Sequence, residues 1–151
     1  MKKHDKVAAF VESLSTPSAS EFHPCYAGFF ECFNSENYYE AHDVLEHLWL
    51  DCNDTNHAFY KGLIQIAGAF VHLKKQNARP DHPKDSQRMH PAVRLFLLGE
   101  KNLAPFAPVH MELNVDAVLS LCSDWRMRIT ESNYCNNPWQ PNCGPCIHLS
   151  R

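Results

Sequence analysis

Glycine is scarce in this chain, five residues in 151, and no segment alternates apolar and polar residues over the length of a strand. Both shortages argue against a sheet built on tight glycine turns. No apolar run reaches the roughly 18 residues that a membrane helix needs. No cluster of lysine and arginine offsets the formal net charge of -3, so a nucleic-acid footprint is missing as well. The opening MKKHDKVAAFVESLS holds an apolar run too short and broken for a secretory signal. The expected address is therefore cytoplasmic, with neither membrane nor nucleic acid as partner. A small molecule, a protein or a second copy of the chain stays open as partner. Also absent are a phosphate-cradling glycine loop, a dinucleotide fingerprint and a nucleophile elbow. Without them no substrate or reaction can be named, and whether the chain is an enzyme stays open.

What is present is a hydrophobic fraction of 44% with 21% charged residues, the balance of a globular protein with one core. The periodicity is helical throughout. It predicts helices near Lys3–Leu14, Glu21–Phe33, Asn37–Asp51, Asn56–Lys75, Ala92–Leu103 and Val115–Thr130. STPSAS forms a linker after the first, and ARPDHPKDSQRMHP a loop after the fourth. Asn114 is placed to cap the last helix, and Asn37 to open a capping box closed by Glu40. The expected fold is all-α: a bundle of five or six helices built from antiparallel hairpins, with an extended tail bearing proline and cysteine. The expected division is 1–20 (helix and linker), 21–133 (bundle) and 134–151 (tail).

Ten histidines and seven cysteines keep a metal site under consideration. The window YYEAHDVLEHLW concentrates the candidates. His42 and Glu46, one turn apart, border the apolar face formed by Ala41, Val44, Leu45, Leu48 and Trp49. Asp43 and His47 point further outward as an i, i+4 pair, and Glu40 lies at the opposite edge. In the apolar helix FYKGLIQIAGAFVHL, a single polar stripe runs through Lys61, Gln65, His72 and Gln76, with Gly68 leaving room inside it. An unpaired buried polar group costs about 1–3 kcal/mol, so these side chains need partners. The expected pocket joins His42 and Glu46 to Gln65 and His72, with Glu40 and Asp43 as secondary candidates. Imidazole and carboxylate suit a divalent transition metal such as Zn, Mn, Fe or Ni. HDVLEH is nevertheless not the HExxH pattern, and the paired ExxH motifs of di-iron bundles are missing. The same four residues serve equally as a buried hydrogen-bond network that fixes helix register.

FFECFNSENYYEAHDVLEHLW followed by FYKGLIQIAGAFVHLKK resembles the bacterial and archaeal family known as domain of unknown function 309, over about His23 to Trp125. The resemblance implies a small all-helical bundle and no assigned activity. It implies characteristic positions at Glu40, His42, Glu46, Trp49, Gly62, Gln65 and His72. The chain departs from the family pattern at Glu36 and Gln76, where glycine is frequent, and at Asp43, where glutamate is frequent. Residues Pro80 to His90 have the character of an insertion.

The tail CNNPWQPNCGPCIH brings together Cys135, Cys143, Cys146 and His148, all of zinc-ligand type. Its CGPC lacks the βαβ setting of a thioredoxin motif, and Ile147 separates Cys146 from His148 where a haem attachment needs them adjacent. The favoured reading is a proline-rich strap anchored by Trp139 and Ile147. Two functions fit the whole pattern. One is a small-ligand or metal-binding protein, of hydrolase type if it has chemistry, using His42, Glu46, Gln65 and His72. The other is a helical-hairpin interaction module in which those residues are purely structural. An exposed apolar groove favours the second, and a concavity between His42 and His72 the first.

Overall fold

The computed structural model describes residues 22–150; the helix expected at Lys3–Leu14 and its linker lie outside them. Five α-helices make up the described fold: α1 (Pro24–Asn34), α2 (Tyr38–Leu50), α3 (Asn56–Ala78), α4 (Met89–Leu103) and α5 (Val115–Glu131). Local chemistry sets their starts. Pro24 occupies the first turn of α1, where its missing N–H costs nothing. His23 Nδ1 accepts the Cys25 N–H at 3.0 Å. Asp54 accepts the Asn56 N–H at 2.8 Å ahead of α3. Asn114 accepts the Ala117 N–H at 2.9 Å and caps α5 as the sequence predicts.

The capping box on α2 is corrected. Asn37 stands at the N-cap position but makes no side-chain cap bond. Its own N–H, which Glu40 would have to accept, goes to Cys32 O at 2.9 Å. The tight α1–α2 turn captures the donor first, and Glu40 is left exposed.

Each helix packs chiefly on its chain neighbour, as expected of serial hairpins. Phe70 of α3 sits at the centre. Its ring meets Phe33 of α1 (5.4 Å), Tyr38 of α2 (5.2 Å), Phe96 of α4 (5.2 Å) and Trp125 of α5 (5.1 Å). Such aromatic edges and faces contribute beyond their buried area, about 0.5–1.5 kcal/mol a pair. Burial raises the thiols of Cys25 to about 11 and of Cys32 to about 12. These cysteines behave as small core hydrophobes.

Among the described residues strands are almost absent, and the one pairing lies where a plain proline connection was expected. Val109–His110 (β1) pairs antiparallel with Leu113–Asn114 (β2), in the register Val109↔Asn114 and His110↔Leu113. Met111 and Glu112 turn the tip with φ of 48° and 61°. Two residues per strand are too few to show a period of two in the sequence.

The tail is extended and docked. Trp139 is 2% exposed and Ile147 5%, so both expected anchors are buried. Among the described residues no helix is long and apolar enough to cross a membrane.

Candidate functional site

The outward face of α2 carries a compact polar group. His42 Nδ1 lies 3.2 Å from Asp43 Oδ1, and its Nε2 lies 3.8 Å from Glu46 Oε2. Tyr39 stacks beside the imidazole, ring centroids 6.3 Å apart. The two carboxylates address opposite nitrogens of one ring. They therefore do not converge with either nitrogen on a single ion, and the side chains remain about a fifth to a third exposed. Trp49, at the end of this helix, stacks on His57 at 4.8 Å. Its buried Nε1 has no acceptor among the described residues.

The polar stripe of α3 faces elsewhere. Asn102 Nδ2 of α4 donates to Gln65 Oε1 at 2.7 Å. Arg88, just before α4, donates from Nη1 to His72 Nδ1 (3.0 Å) and from its backbone N–H to Gln76 Oε1 (2.8 Å). A guanidinium can only donate, so Nδ1 of His72 is the acceptor and the imidazole is neutral. Burial, with the Arg88 and Lys75 cations, holds the imidazole below the ordinary histidine range. Arg88 Nε in turn donates to the buried Asp85 at 2.7 Å, and that bond holds the carboxylate below its ordinary value. Lys61, at the far end of the stripe, is exposed.

The four expected pocket residues are thus divided. His42 and Glu46 are brought together on α2, while Gln65 and His72 pair with α4 and the loop before it. The reason is steric. A Cβ on Gly62 would lie 2.9 Å from a Leu103 side-chain carbon and 3.2 Å from Gly99 O, so α3 and α4 approach backbone to backbone at this pair. That close approach turns the Gln65–His72 stripe onto α4. The room expected beside Gly68 is taken by Leu95, whose Cδ1 would stand 3.2 Å from an added Cβ.

In the tail, Cys135, Cys143 and Cys146 are free and exposed. His148 is exposed too, with Nδ1 3.5 Å from the Asn34 amide nitrogen. Among the described residues no group of three or more His, Cys, Asp and Glu side chains is arranged to hold a metal ion. The tail instead docks on the α1–α2 turn. Glu36 Oε1 accepts the Asn142 N–H (2.8 Å) and Oε2 the Gly144 N–H (2.7 Å). Asn34 brackets Ile147, accepting its N–H at 2.7 Å and donating to its carbonyl at 2.9 Å. Trp139 Nε1 donates to Tyr38 Oη at 3.0 Å.

One concavity was not found by reasoning from sequence. A groove of about 300 Å³ opens between the start of α2 and the end of α3, lined by Tyr38, Tyr39, Glu40, Val71, Lys74, Lys75 and Ala78. Its signal was the exposed Tyr39 beside the buried Tyr38, but only the pairing of α2 with α3 reveals the facing wall. Lys74 Nζ donates to Glu36 O at 2.8 Å, which ties the groove rim to the turn that holds the strap.

Residues 26–80 match the profile of a family described as Domain of unknown function (DUF309). Over that segment, about a third of the chain, the sequence is similar to that family. The match takes in α1 from Tyr26 onward, α2 and α3, and ends at Pro80, short of the Trp125 that the resemblance reached. It contains His42, Glu46, Gln65, His72 and the whole groove, whereas Asn102, Arg88 and the strap lie beyond it. No curated protein and no solved structure matches the chain.

Proposed function

We propose that this chain is a helical interaction module. In this reading it receives a short acidic peptide segment of a partner protein in the groove between α2 and α3. The observation that carries the reading is where the polar groups point. Gln65 is engaged by Asn102 and His72 by Arg88, while an apolar-walled groove stands open beside them. Acceptor atoms engaged in this way, Gln65 Oε1 and His72 Nδ1, serve helix register rather than a ligand.

The groove sets the partner's chemistry. At about 300 Å³ it is at the small end for a ligand cavity and suits one or two apolar anchors better than a bulky cofactor. Its rim has two lysines, Lys74 and Lys75, against one carboxylate, Glu40. That imbalance favours acidic residues flanking the anchor. Seven unpaired cysteines fit a reducing compartment, and the cytoplasm is the address we propose.

The test uses two end-blocked hexapeptides, each with a central Leu-Phe flanked by glutamates in one and lysines in the other. The acidic peptide should shift the amide resonances of Tyr39, Val71 and Lys75, and Lys75→Glu should reverse the preference. Equal shifts from both peptides, or none from either, would sink the reading.

A further inference from the structure

We propose that Cys143 and Cys146 are a redox-active dithiol, and that closing them into a disulfide undocks the C-terminal strap from the α1–α2 turn. Both thiols are free and exposed; the Gly144 anchor lies between them and the Ile147 anchor directly follows. Residues 143–150 run without helix, strand, turn or bend. At about 3.3 Å per residue, full extension would set the two cysteine Cα atoms as much as roughly 10 Å apart, and no turn or bend draws them together. A disulfide brings them within about 6.8 Å. Closing the disulfide therefore contracts a segment that the docked strap holds open through Gly144.

What holds the segment straight is visible. Gly144 donates its N–H to Glu36 at 2.7 Å, and Ile147 donates to Asn34 at 2.7 Å. Two side chains two residues apart on the turn thus hold two amides three residues apart on the strap. Gly144 lies flat on the body of the protein. A Cβ there would collide with the Tyr38 hydroxyl and sit 3.1 Å from Trp139 Nε1. Drawing Cys143 and Cys146 together must lift the peptides between them, and with them at least one anchor.

The oxidant is a small-molecule disulfide of the glutathione class. One cysteine thiolate attacks it, forming a mixed disulfide and releasing one small thiol. The second cysteine thiolate then attacks the protein sulfur of that mixed bond and releases the other. Two protein thiols become one disulfide, and the oxidant leaves as two thiols carrying both electrons and both protons. Because docking favours the dithiol, linkage requires that weakening the clamp favours the disulfide by the same factor. The inference does not depend on what the groove binds.

The experiment equilibrates the full chain with oxidised and reduced glutathione, maps disulfides by peptide mass, and follows hydrogen exchange at the strap amides. Oxidation should yield a Cys143–Cys146 bond, together with loss of protection at Gly144 and Ile147. The variant Cys143→Ser with Cys146→Ser should keep that protection under the same oxidant. Glu36→Gly removes the carboxylate and suits a backbone already at φ 62°. It should raise the disulfide fraction at a fixed glutathione ratio, as should Asn34→Ala by loosening the second anchor. A disulfide that forms with both amides still protected would overturn the proposal. So would mixed disulfides alone, or an equilibrium unmoved by both clamp variants.

Discussion

Gly62 and Gly99 face each other across α3 and α4: a Cβ on Gly99 would stand 3.1 Å from Gly62 O and 2.8 Å from a side-chain carbon of Ile66. The neighbour on one side is backbone, which cannot swing away. Gly99→Ala should therefore force the helices apart and cost about 1–3 kcal/mol, the usual scale of overpacking. Chemical denaturation measures it, and an unchanged midpoint would show that the interface is looser than described.

The strap anchor offers a second check. Trp139 Nε1 donates to Tyr38 Oη at 3.0 Å, and both residues are buried. Trp139→Phe or Tyr38→Phe alone leaves a buried polar group unpaired, so each should cost about 1–3 kcal/mol. The double variant removes both partners and should recover part of that loss. Strictly additive costs would mean that the bond contributes nothing.

Stability should fall on mild acidification, and the sign follows from His72. Burial and the neighbouring Arg88 hold its pKa below 6.5 in the folded chain, so the unfolded state binds the proton first. Its contribution is complete above about pH 6.5 and is lost as the pH drops toward the lowered folded value. His23 and His110 are lowered by burial and act in the same direction. His72→Asn keeps a neutral acceptor for Arg88 and should flatten the dependence between about pH 7.5 and about pH 5.5 without abolishing it. Urea midpoints across that window decide the matter; an unaltered slope would remove His72 from the account.

Much of this was legible in the residues. The 3.6-residue period of α3 and the Asn114 cap were local signals, and both lie where the sequence predicts them. Trp139 and Ile147 stood out as the large apolar side chains of a proline-rich tail, and both are anchors. The pairing of polar groups was not legible. Helical geometry puts Gln65 and His72 on one stripe but cannot say which neighbouring helix the stripe meets. That choice was made by Gly62 and Gly99, 37 positions apart, the same separation as Gln65 and Asn102. Glu36 was noticed only as a departure from glycine. Its left-handed backbone and its grip on Gly144, 108 residues away, are long-range facts that no local pattern carries.

The central claim is that the polar residues of α2 and α3 serve separate partners within the fold. Double-mutant cycles by urea denaturation test it most directly, with Gln65→Ala combined in turn with Asn102→Ala and with His42→Ala. The account predicts a coupling of about 0.5–3 kcal/mol between Gln65 and Asn102, and additivity within about 0.3–0.5 kcal/mol between Gln65 and His42. Strong coupling of Gln65 to His42, with none to Asn102, would contradict it and restore a shared pocket between the two helices.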